Sequence, residues 1–510
     1  MFTGASLGVC ALLHGALSSA CFTAADENRE ARYVGSRLEL MADTSLVERT
    51  NGVRFRLHHP VAREVAMVHD QPWEGSGCGY HSVFQDGDRY RMYYRTWQLT
   101  VADGKLAPSH PLYLCYAESR DGIHWVKPEL GLFEFQGSKR NNIVMVPGRI
   151  GQVEADTGHP AVFRDENPQC DPQSRYKAII RSGGAKGLLP FGSPDGLRWR
   201  PLSDAPVITR GDFDSQNLAF WDPVRAEYRA YFRFFREGVR DILTATSKDF
   251  LHWTEPEPLR YPGAPSEHLY TNQIKPYYRA PHLLIGFPTR YVERGWSPAM
   301  RALPERAHRE ERARVSQRYG TALTEALFMI SRDGVTFHRW GEAFLRPGPE
   351  RPGTWLYGHQ YIAWQLVETA STIPGEPNEL SLYALEGYWT GTSNALRRYT
   401  LRLDGFVSIE ATLAGGEFTT RPLLFSGNRL VLNLSTSAAG GVRVELQDAG
   451  GDPIPGFRLE ECPEVFGDSV ERAVTWKEGS DVSRLAGRPV RLRVFLRDAD
   501  LYSFQFRQVP

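Results

Sequence analysis

Five stretches of the chain carry acidic, amide, histidine or aromatic side chains immediately before a short apolar run. The carboxylates among them include Asp70, Glu74, Asp214 and Glu267. Two carboxylates beside a glycosidic bond can protonate the leaving oxygen and attack the anomeric carbon or activate a water. Histidines and amides bind sugar hydroxyls, and aromatic rings stack on sugar faces. These residue types indicate carbohydrate chemistry if the fold brings the five stretches together.

The candidate residues divide into three acids and a larger binding set. We predict Asp214 and Glu267 as the first catalytic pair and Glu74 as the third acid. Glu267 has aromatic and histidine neighbours that suit a proton donor, and Asp214 stands beside amides that suit an ionised base or nucleophile. The predicted substrate-binding residues are Asp70, Trp73, His81, Arg95, Arg181, Asn217, Arg233, His268, Tyr270, Asn272, Arg290, Trp355 and His359. Tyr80, Asp156, His159, Gln216 and Tyr357 are expected at the same place.

Four of these binding residues are arginines at the ends of predicted second strands, namely Arg95, Arg181, Arg233 and Arg290. They fit two roles equally well. Buried arginines can form ion pairs between neighbouring strands. A guanidinium also matches the oxygens of a uronate carboxylate or a sulfate. We predict that these arginines surround the pocket and that at least one binds an anionic substituent.

A repeated unit supplies the elements that would position these residues. Its clearest copy is the segment 213–253, in which the apolar runs 218–221, 227–235 and 242–246 are separated by polar turns before His252-Trp253. Four short strands in about forty residues are typical of one blade of a β-propeller. Strand runs matching 219–222 and 227–233 recur upstream at 83–95 and 162–181. The repeat therefore predicts an all-β ring of blades.

The turn that closes each unit recurs with an aspartate at positions 121, 195, 249, 333 and 404. Five turns predict five blades. An aspartate in such a turn accepts hydrogen bonds from the backbone, and a following glycine adopts positive φ. We therefore assign the turn aspartates a structural role. In a blade these turns lie at the opposite end of the channel from the start of the innermost strand, where the candidate residues gather.

The chain divides into four predicted segments. Residues 1–24 read as a secretory leader, 25–69 as an N-terminal arm packed on the propeller, 70–410 as the five-bladed propeller and 411–510 as a C-terminal β-sandwich. Alternating apolar residues between glycine-rich turns indicate the sandwich. A charged insertion at 300–318 is polar nearly all round, which predicts a short surface helix.

Composition narrows the class of protein. Sixty acidic and sixty basic side chains give no electrostatic case for nucleic acid. No internal run approaches the length of a transmembrane helix. The leader has a predicted cut after Ala20 and a weaker lipid-attachment reading at Cys21, so we predict export. Cys78, Cys115, Cys170 and Cys462 lack the close spacing of zinc sites, and we expect no metal or other cofactor.

Five blades, the turn Ser-Lys-Asp-Phe-Leu-His-Trp and the trailing sandwich resemble the five-bladed propeller glycosidases of glycoside hydrolase families 43 and 32. The resemblance covers roughly residues 70–510. It implies hydrolysis of a glycosidic bond, with an Asp in the first blade, an Asp in the second and a Glu in the third. The chain lacks a Trp-Met-Asn-Asp-Pro-Asn-Gly box and a clean Arg-Asp-Pro or Glu-Cys motif. The acids are therefore assigned by position.

Three alternatives stay open at this point. A sialidase has six blades, Ser-x-Asp-x-Gly-x-x-Trp boxes and an arginine triad, whereas five turns are counted here and Asp and Gly are adjacent. A five-bladed glycoside phosphorylase would use the arginines for phosphate. A non-catalytic carbohydrate-binding propeller would need the aromatic and amide groups without paired acids.

Overall fold

The computed structural model of the chain describes residues 31–509. Within this range, five antiparallel sheets follow one another as blades around a central channel. From the channel outward, blade one contains Gly79–Asp86, Arg89–Thr96, Tyr113–Ser119 and Ile143–Met145. Blade two contains Val153–Arg164, Tyr176–Ser182, Leu188–Ser193 and Arg200–Pro201. Blade three contains Leu218–Asp222, Glu227–Arg236, Val239–Ser247 and Glu257–Pro258. Blade four contains Lys275–Tyr277, Ala280–Gly286, Met329–Ser331 and Phe337–Arg339. Blade five contains Val367–Thr369, Glu379–Glu386, Ala395–Arg402 and Val61–Val68. The predicted five-bladed propeller is confirmed.

Smaller elements extend the blades. Gly148–Ile150 pairs with the start of the long strand of blade two, and Leu99–Ala102 forms a hairpin with Lys105–Pro108. Beside blade four, Thr289–Glu293 pairs with Ala322–Ala326. Buried aromatic side chains such as Phe163, Phe220 and Trp364 share one core between blades. This packing joins the blades because a single sheet cannot bury both of its faces.

The closing turns are built in the same way in blades one to four. In blade one, Asp121 Oδ1 accepts hydrogen bonds from the backbone N–H groups of Ile123 and His124 at 2.8 Å each. Gly122 has φ +72°, and a Cβ there would lie 2.9 Å from Thr369 Cγ2, so glycine is required. Blade three has Phe250 at the same place with φ +71°. The turn aspartates therefore hold the backbone, as the sequence predicts.

At both ends of the propeller the strand pairing crosses the segment boundaries predicted from sequence. The predicted N-terminal arm is divided: its first part joins a sheet with the C-terminal strands, and Val61–Val68 becomes the outer strand of blade five. Val407–Ala411, which we had assigned to the propeller, pairs with Val53–Leu57 in that sheet. The physical reason is ring closure, because pairing the two ends of the chain removes exposed strand edges.

The C-terminal strands belong to a single ten-stranded sheet. Its members within the described residues are Arg32–Gly35, Leu38–Leu40, Val47–Asn51, Val53–Leu57, Val407–Ala411, Gly416–Thr420, Leu423–Phe425, Arg429–Asp448, Asp468–Ala473 and Val490–Arg507. Residues from both chain ends, including Val34, Phe418, Leu432 and Val494, form its apolar core. A separate β-sandwich at 411–510 stays a prediction.

The insertion differs from the predicted polar surface helix. It contains three short α-helices, Pro298–Ala302, Arg306–Ala313 and Gln317–Thr321, and the side chains of Arg309 and Arg312 are buried. Long arginine stems cover apolar neighbours while the charge stays on the terminal group, so a polar sequence can still pack inward. Three single-turn 3-10 helices span Pro172–Ser174, Leu459–Glu461 and Ser483–Leu485.

The predicted leader, including Ala20 and Cys21, lies outside the described residues. Among residues 31–509, no α-helix combines the length and apolar character needed to cross a bilayer. Cys78, Cys115, Cys170 and Cys462 are free thiols.

Candidate functional site

Two glutamine side chains close the channel near the beginnings of the inner strands. Gln216 Nε2 donates to the carbonyl oxygens of Tyr80 at 3.0 Å and Pro160 at 3.2 Å. Gln273 Nε2 donates to Gln216 Oε1 at 2.8 Å and to the Ile362 carbonyl at 2.7 Å. The two amides thereby link all five blades. They form the floor of the end of the channel at which the inner strands begin, which we call the blade-start mouth.

Five tyrosines lie on the mouth side of this floor: Tyr80, Tyr270, Tyr357, Tyr361 and Tyr388. We call them the tyrosine cluster. The Tyr357 hydroxyl donates to the Tyr270 hydroxyl oxygen at 2.7 Å. The ring centroids of Tyr270 and Tyr361 are 5.4 Å apart, and those of Tyr361 and Tyr388 are 5.9 Å apart. The cluster offers both apolar faces for a sugar ring and hydroxyl groups for its oxygens.

The backbone around the mouth is unusually strained. Tyr80, Gln273, Trp355, Gln360 and Trp389 all have positive φ, between 48° and 61°. None of them is glycine, and each such conformation costs on the order of 1–3 kcal/mol. Strained residues of this kind concentrate at functional sites because their surroundings hold them in place. The strain therefore marks the mouth independently of its side-chain chemistry.

Five arginines approach the tyrosine cluster: Arg95, Arg233, Arg240, Arg312 and Arg318. We call them the mouth arginines. The Arg95 guanidinium lies 4.5 Å from the Tyr80 ring centroid and donates to the Tyr388 hydroxyl at 3.0 Å. The guanidinium carbons of Arg233 and Arg240 lie 5.3 and 5.4 Å from the Tyr270 ring centroid. Arg312 lies 5.3 Å from the Trp389 ring centroid, beside Tyr388, and Arg318 comes from the third helix of the insertion.

The charge of the mouth arginines is largely uncompensated. Arg233 forms an ion pair with Asp214. Among residues 31–509, none of the other four forms an ion pair with a carboxylate. Arg95 is 3% exposed and bonds instead to the Gly77 carbonyl and Tyr388, and its Nε has no partner within the described chain. Buried cations without carboxylates fit a site for an anion.

The same arginines separate the pKa values of two tyrosines. Burial alone would raise the pKa of Tyr270, but Arg233, the hydrogen bond with Tyr357, Arg240 and Arg318 outweigh it and lower that pKa. Burial raises the pKa of Tyr357 well above its usual range, and the adjacent Tyr270 adds to the shift. Groups whose environments push their pKa values apart are natural acid and base partners.

The three predicted catalytic acids are held by different basic side chains. Asp214 is at the mouth, with 61% of its side chain exposed and one guanidinium partner. Glu267 is held by two arginines, Arg290 at 3.1 Å and Arg339 at a shorter contact. Asp214 thus has one arginine partner and a mostly exposed side chain, whereas two arginines bind Glu267.

Glu74 is fully buried inside blade one. Its carboxylate accepts hydrogen bonds from Lys127 Nζ and from the Tyr94 hydroxyl, both at 2.6 Å. A carboxylate satisfied in this way has no free edge toward the channel. The geometry therefore favours a structural role for Glu74.

Three other predicted residues of blade one, Asp70, Trp73 and His81, contact neighbours other than the tyrosine cluster. Trp73 donates to Asn142 Oδ1 at 2.7 Å and packs against Phe135. Asp70 is exposed and is 3.4 Å from Lys127. The buried His81 ring has its Nε2 3.0 Å from that of His69, and burial lowers the pKa of both rings. Position along the strand predicts these residues near the mouth, but His81 is buried inside the blade, Trp73 packs against Phe135, and Asp70 is exposed to solvent.

Two predicted arginines are compensated by carboxylates. Arg181 Nε is 3.0 Å from Asp156 Oδ2. Arg290 bonds to Glu325 and to Glu267 at the edge of blade four. Of the four arginines singled out by sequence, Arg95 and Arg233 contact the tyrosine cluster. Arg233 combines contact with the cluster and an ion pair with Asp214, whereas Arg95 has no carboxylate partner within the described residues.

The predicted amides and histidines mostly bind backbone groups. Asn217 Nδ2 donates to two carbonyl oxygens of its own loop, and Asn272 Nδ2 donates to the Tyr231 carbonyl at 3.4 Å. His268 Nδ1 accepts from the Arg240 N–H at 3.0 Å, so it positions a mouth arginine. His359 is buried, which lowers its pKa to about 3, and it accepts from the Trp355 N–H. The Trp355 indole donates to Gly348.

Sequence reasoning missed Tyr361, Tyr388, Arg240 and the two arginines of the insertion. Tyr388 follows the second strand of blade five, at the place where other blades carry an arginine, and Arg95 bonds to it. That position was a usable signal. Arg312 and Arg318 gave no comparable signal, because they belong to no repeat. No group of three histidine, cysteine or acidic side chains within the described range could hold a metal ion.

No protein-family model matches the chain. A curated relative, the uncharacterized protein MT1551 of Mycobacterium tuberculosis, is 29% identical over 154 residues. The match covers 30% of this chain and 42% of the relative, so the chain spans less than half of that protein's length.

Several solved structures resemble the chain at low identity. A thermostable family-43 glycoside hydrolase has 12% identity and a TM-score of 0.41, covering 67% of this chain and 96% of that one. A structure from the GH130 family of mannoside phosphorylases, which contains glycoside hydrolases that target β-1,2 mannosidic linkages in Candida mannan, has 14% identity and a TM-score of 0.40, covering 67% and 94%. An endo-arabinase from Bacteroides thetaiotaomicron has 10% identity and a TM-score of 0.38, covering 68% and 97%. These neighbours are glycoside hydrolase-type propellers, and the five-bladed assignment itself rests on the strand pairing.

Proposed function

We propose that the protein is a glycoside hydrolase that binds an acidic carbohydrate at the blade-start mouth. The observation that carries this proposal is the uncompensated charge of the mouth arginines beside the tyrosine cluster. Tyrosine rings suit a sugar face, and guanidinium groups suit a carboxylate or sulfate substituent. Arg95 is the first proposed binding residue, because it contacts the cluster and has no carboxylate partner within the described residues. Arg233 also contacts the cluster, although it is paired with Asp214.

Asp214 is the carboxylate that we propose for acid or base catalysis of hydrolysis. It is the only member of the predicted acid set that reaches the mouth with most of its side chain exposed to solvent. Its neighbour Arg233 would orient it toward a sugar bound over Tyr270. Glu267 and Glu74 are better assigned to structural ion pairs, for the reasons given above.

The test compares turnover on matched acidic and neutral oligosaccharides, followed by the release of new reducing ends. We expect cleavage of acidic substrates, and a fall in kcat by a factor on the order of 10² to 10⁴ for Asp214→Asn. Asp212→Asn is the matched control, because Asp212 is two residues away and pairs loosely with Lys186 at 3.9 Å. Equal cleavage of neutral substrates, or an unchanged rate in Asp214→Asn, would contradict the proposal.

A glycoside phosphorylase is the second candidate. The observation that favours it is again the mouth arginines, since inorganic phosphate is an anion that guanidinium groups bind well. A phosphorylase would release a sugar phosphate and would need phosphate for turnover. A rate that is independent of added phosphate would remove this candidate.

A further inference from the structure

The mouth presents one exposed predicted carboxylate but two tyrosines with opposite tendencies. Asp214 is paired with Arg233, whereas Glu267 and Glu74 are held by other basic side chains. The mouth also holds a hydrogen-bonded pair of phenols, Tyr270 and Tyr357, at 2.7 Å. A reaction that needs a base without a carboxylate partner therefore fits this geometry.

Tyr270 is held by hydrogen bonds of its backbone, and two guanidinium groups lie close to its ring. Its backbone N–H donates to the Thr289 carbonyl, and its carbonyl accepts from Ser215 Oγ, each at 2.7 Å. The charged groups that face it are Arg233 and Arg240 of blade three and Arg318 of the insertion; the phenols that face it are Tyr357, Tyr361 and Tyr388 of blade five, Tyr80 of blade one and Tyr291 of blade four. Asp214 approaches from the same side but is bound to Arg233. The arginines lower the pKa of Tyr270 and so favour its phenolate form, and the residue as a whole is partly exposed.

A phenolate beside uncompensated guanidinium groups can remove a proton next to a carboxylate. Such a proton is normally hard to remove, because the resulting carbanion lies beside an existing negative charge. Guanidinium groups that bind the carboxylate offset this charge and stabilise the developing carbanion. Arg95, Arg240 and Arg318 have no carboxylate partner in the described part of the chain, so their charge remains for a ligand.

We propose that, when the sugar at this mouth is a uronate linked through its C4 oxygen, the protein also cleaves the chain by β-elimination, with Tyr270 as the catalytic base. The phenolate oxygen takes the proton from C5. The C–H electron pair forms the C4–C5 double bond, and the bond from C4 to the glycosidic oxygen breaks. The departing oxygen then takes the proton from the Tyr270 hydroxyl, which regenerates the phenolate. No water or co-reactant is consumed.

This inference rests on the proposed binding of an acidic carbohydrate at the mouth, but it is independent of hydrolysis by Asp214. Tyr357 is a positioning residue in this scheme, since its hydroxyl donates to Tyr270 and keeps the phenolate oriented. Hydrolysis and elimination leave different products. Hydrolysis gives only new reducing ends, whereas elimination adds one conjugated C4–C5 double bond for each chain break.

The experiment incubates the full chain with polygalacturonate, alginate and hyaluronan, and with a neutral galactan as a blank. It records the ultraviolet absorption of the conjugated double bond together with the number of new reducing ends. We expect at least one polyuronate to give one double bond per new end. New ends without double bonds would overturn the inference while supporting hydrolysis. No cleavage of any polyuronate would overturn the inference as well, and hydrolysis of sulfated oligosaccharides would then be tested separately.

Substitutions assign the base. Tyr270→Phe keeps the ring, and we expect elimination to fall by a factor on the order of 10² to 10⁴. Tyr278→Phe is the matched control, because that tyrosine is exposed at the opposite end of the channel, where its hydroxyl donates to Glu368. Elimination that survives in Tyr270→Phe would overturn the assignment.

A pH profile separates catalysis from a structural role. In the wild type, elimination should rise with pH through an apparent pKa below the usual tyrosine value of about 10. In Tyr357→Phe this apparent pKa should move up, because the phenolate loses a hydrogen-bond donor. A profile that is identical in both proteins would mean that Tyr270 is not the group that titrates.

Discussion

The two ends of the propeller channel treat charge in opposite ways. At the end where the inner strands finish, Asp86 lies 2.8 Å from Arg91, Asp222 lies 2.7 Å from Arg225, and Asp165 binds Lys177. At the blade-start mouth, four of the five mouth arginines have no carboxylate partner within residues 31–509. The two ends therefore differ in charge pairing, and this difference supports the mouth as the proposed binding end.

The difference follows from the cost of burying a charge. A buried ion whose partner is present can be neutral or favourable for stability, but a buried ion without a partner costs several kcal/mol. A protein that keeps unpaired cations at one end pays this cost unless a ligand supplies the anion. We therefore expect substitutions to affect stability at the paired end and ligand response at the mouth.

The largest expected effect is at the paired end, with Lys177→Met. Lys177 and Asp165 are both buried, and removing the lysine leaves the carboxylate with only the Tyr228 hydroxyl and a backbone N–H. Loss of one partner from a buried ion pair costs about 3–5 kcal/mol. Urea denaturation measures the free energy of unfolding. Sulfate binding at the mouth should not change.

Lys248→Met is the control for this substitution. Lys248 is exposed in blade three, and its Nζ lies 3.5 Å from Glu227 Oε2. Its removal should therefore change the free energy of unfolding by less than about 1 kcal/mol. If Lys177→Met costs no more than this control, pairing at this end of the channel contributes nothing measurable.

The second effect concerns the junction between the ten-stranded sheet and blade four. Glu39 is buried there, 2.9 Å from Arg332 and 3.2 Å from His282. Burial alone would raise its pKa, but His282, Arg332 and Arg37 outweigh it and lower the pKa from 4.5 to about 2. An acid whose pKa is lower in the folded state than in the unfolded state stabilises the fold at any pH above its unfolded-state pKa. This stabilisation, about 3 kcal/mol for Glu39, should be lost as the pH falls from the unfolded-state pKa to the folded-state pKa.

Glu39→Gln tests this dependence through urea denaturation at a series of pH values. The variant should be less stable at neutral pH and should lose less stability than the wild type on acidification. Parallel pH curves for the two proteins would assign the acid sensitivity to other groups, such as the turn aspartates, whose pKa values are also lowered.

The sequence predicted the repeated parts of the molecule well, because each blade carries the same local signals. The turn at Asp121 needs a serine, an aspartate and a residue with positive φ, and the sequence Ser-Arg-Asp-Gly supplies all three. It predicted pairing between the ends of the chain poorly. Val61–Val68 reads as an ordinary strand, and only ring closure explains why it pairs with Ala395–Arg402.

The candidate site shows the same division. The inner strands begin at one end of the channel, as the alternating strand direction in a blade predicts, and the functional role of that end stays a prediction. Which side chains face the mouth could not be predicted, because positive φ at Tyr80 and Gln273 changes the direction of the chain there. The catalytic assignment of Glu267 illustrates this limit: its sequence neighbours suggested a proton donor, whereas Arg339, from a distant part of blade four, binds it.

The smallest expected effect on stability belongs to Arg312→Met at the mouth, and it should have the opposite sign to that of Lys177→Met. The Arg312 side chain is 5% exposed, and its Nη1 has no partner within the described residues. Burial lowers its pKa to about 10, so the charged form is disfavoured in the folded state and removal of the guanidinium should raise Tm slightly at neutral pH.

In the wild type, sulfate at ten times its dissociation constant should add about 1.4 kcal/mol of stability by mass action. Arg312→Met should lose most of this response. Arg306→Met is the matched control on the same helix, since Arg306 is exposed and already paired with Glu310 at 2.8 Å, and it should retain the sulfate response. Equal sulfate responses in all three proteins would remove Arg312 from the anion site and leave its burial to packing against Trp389.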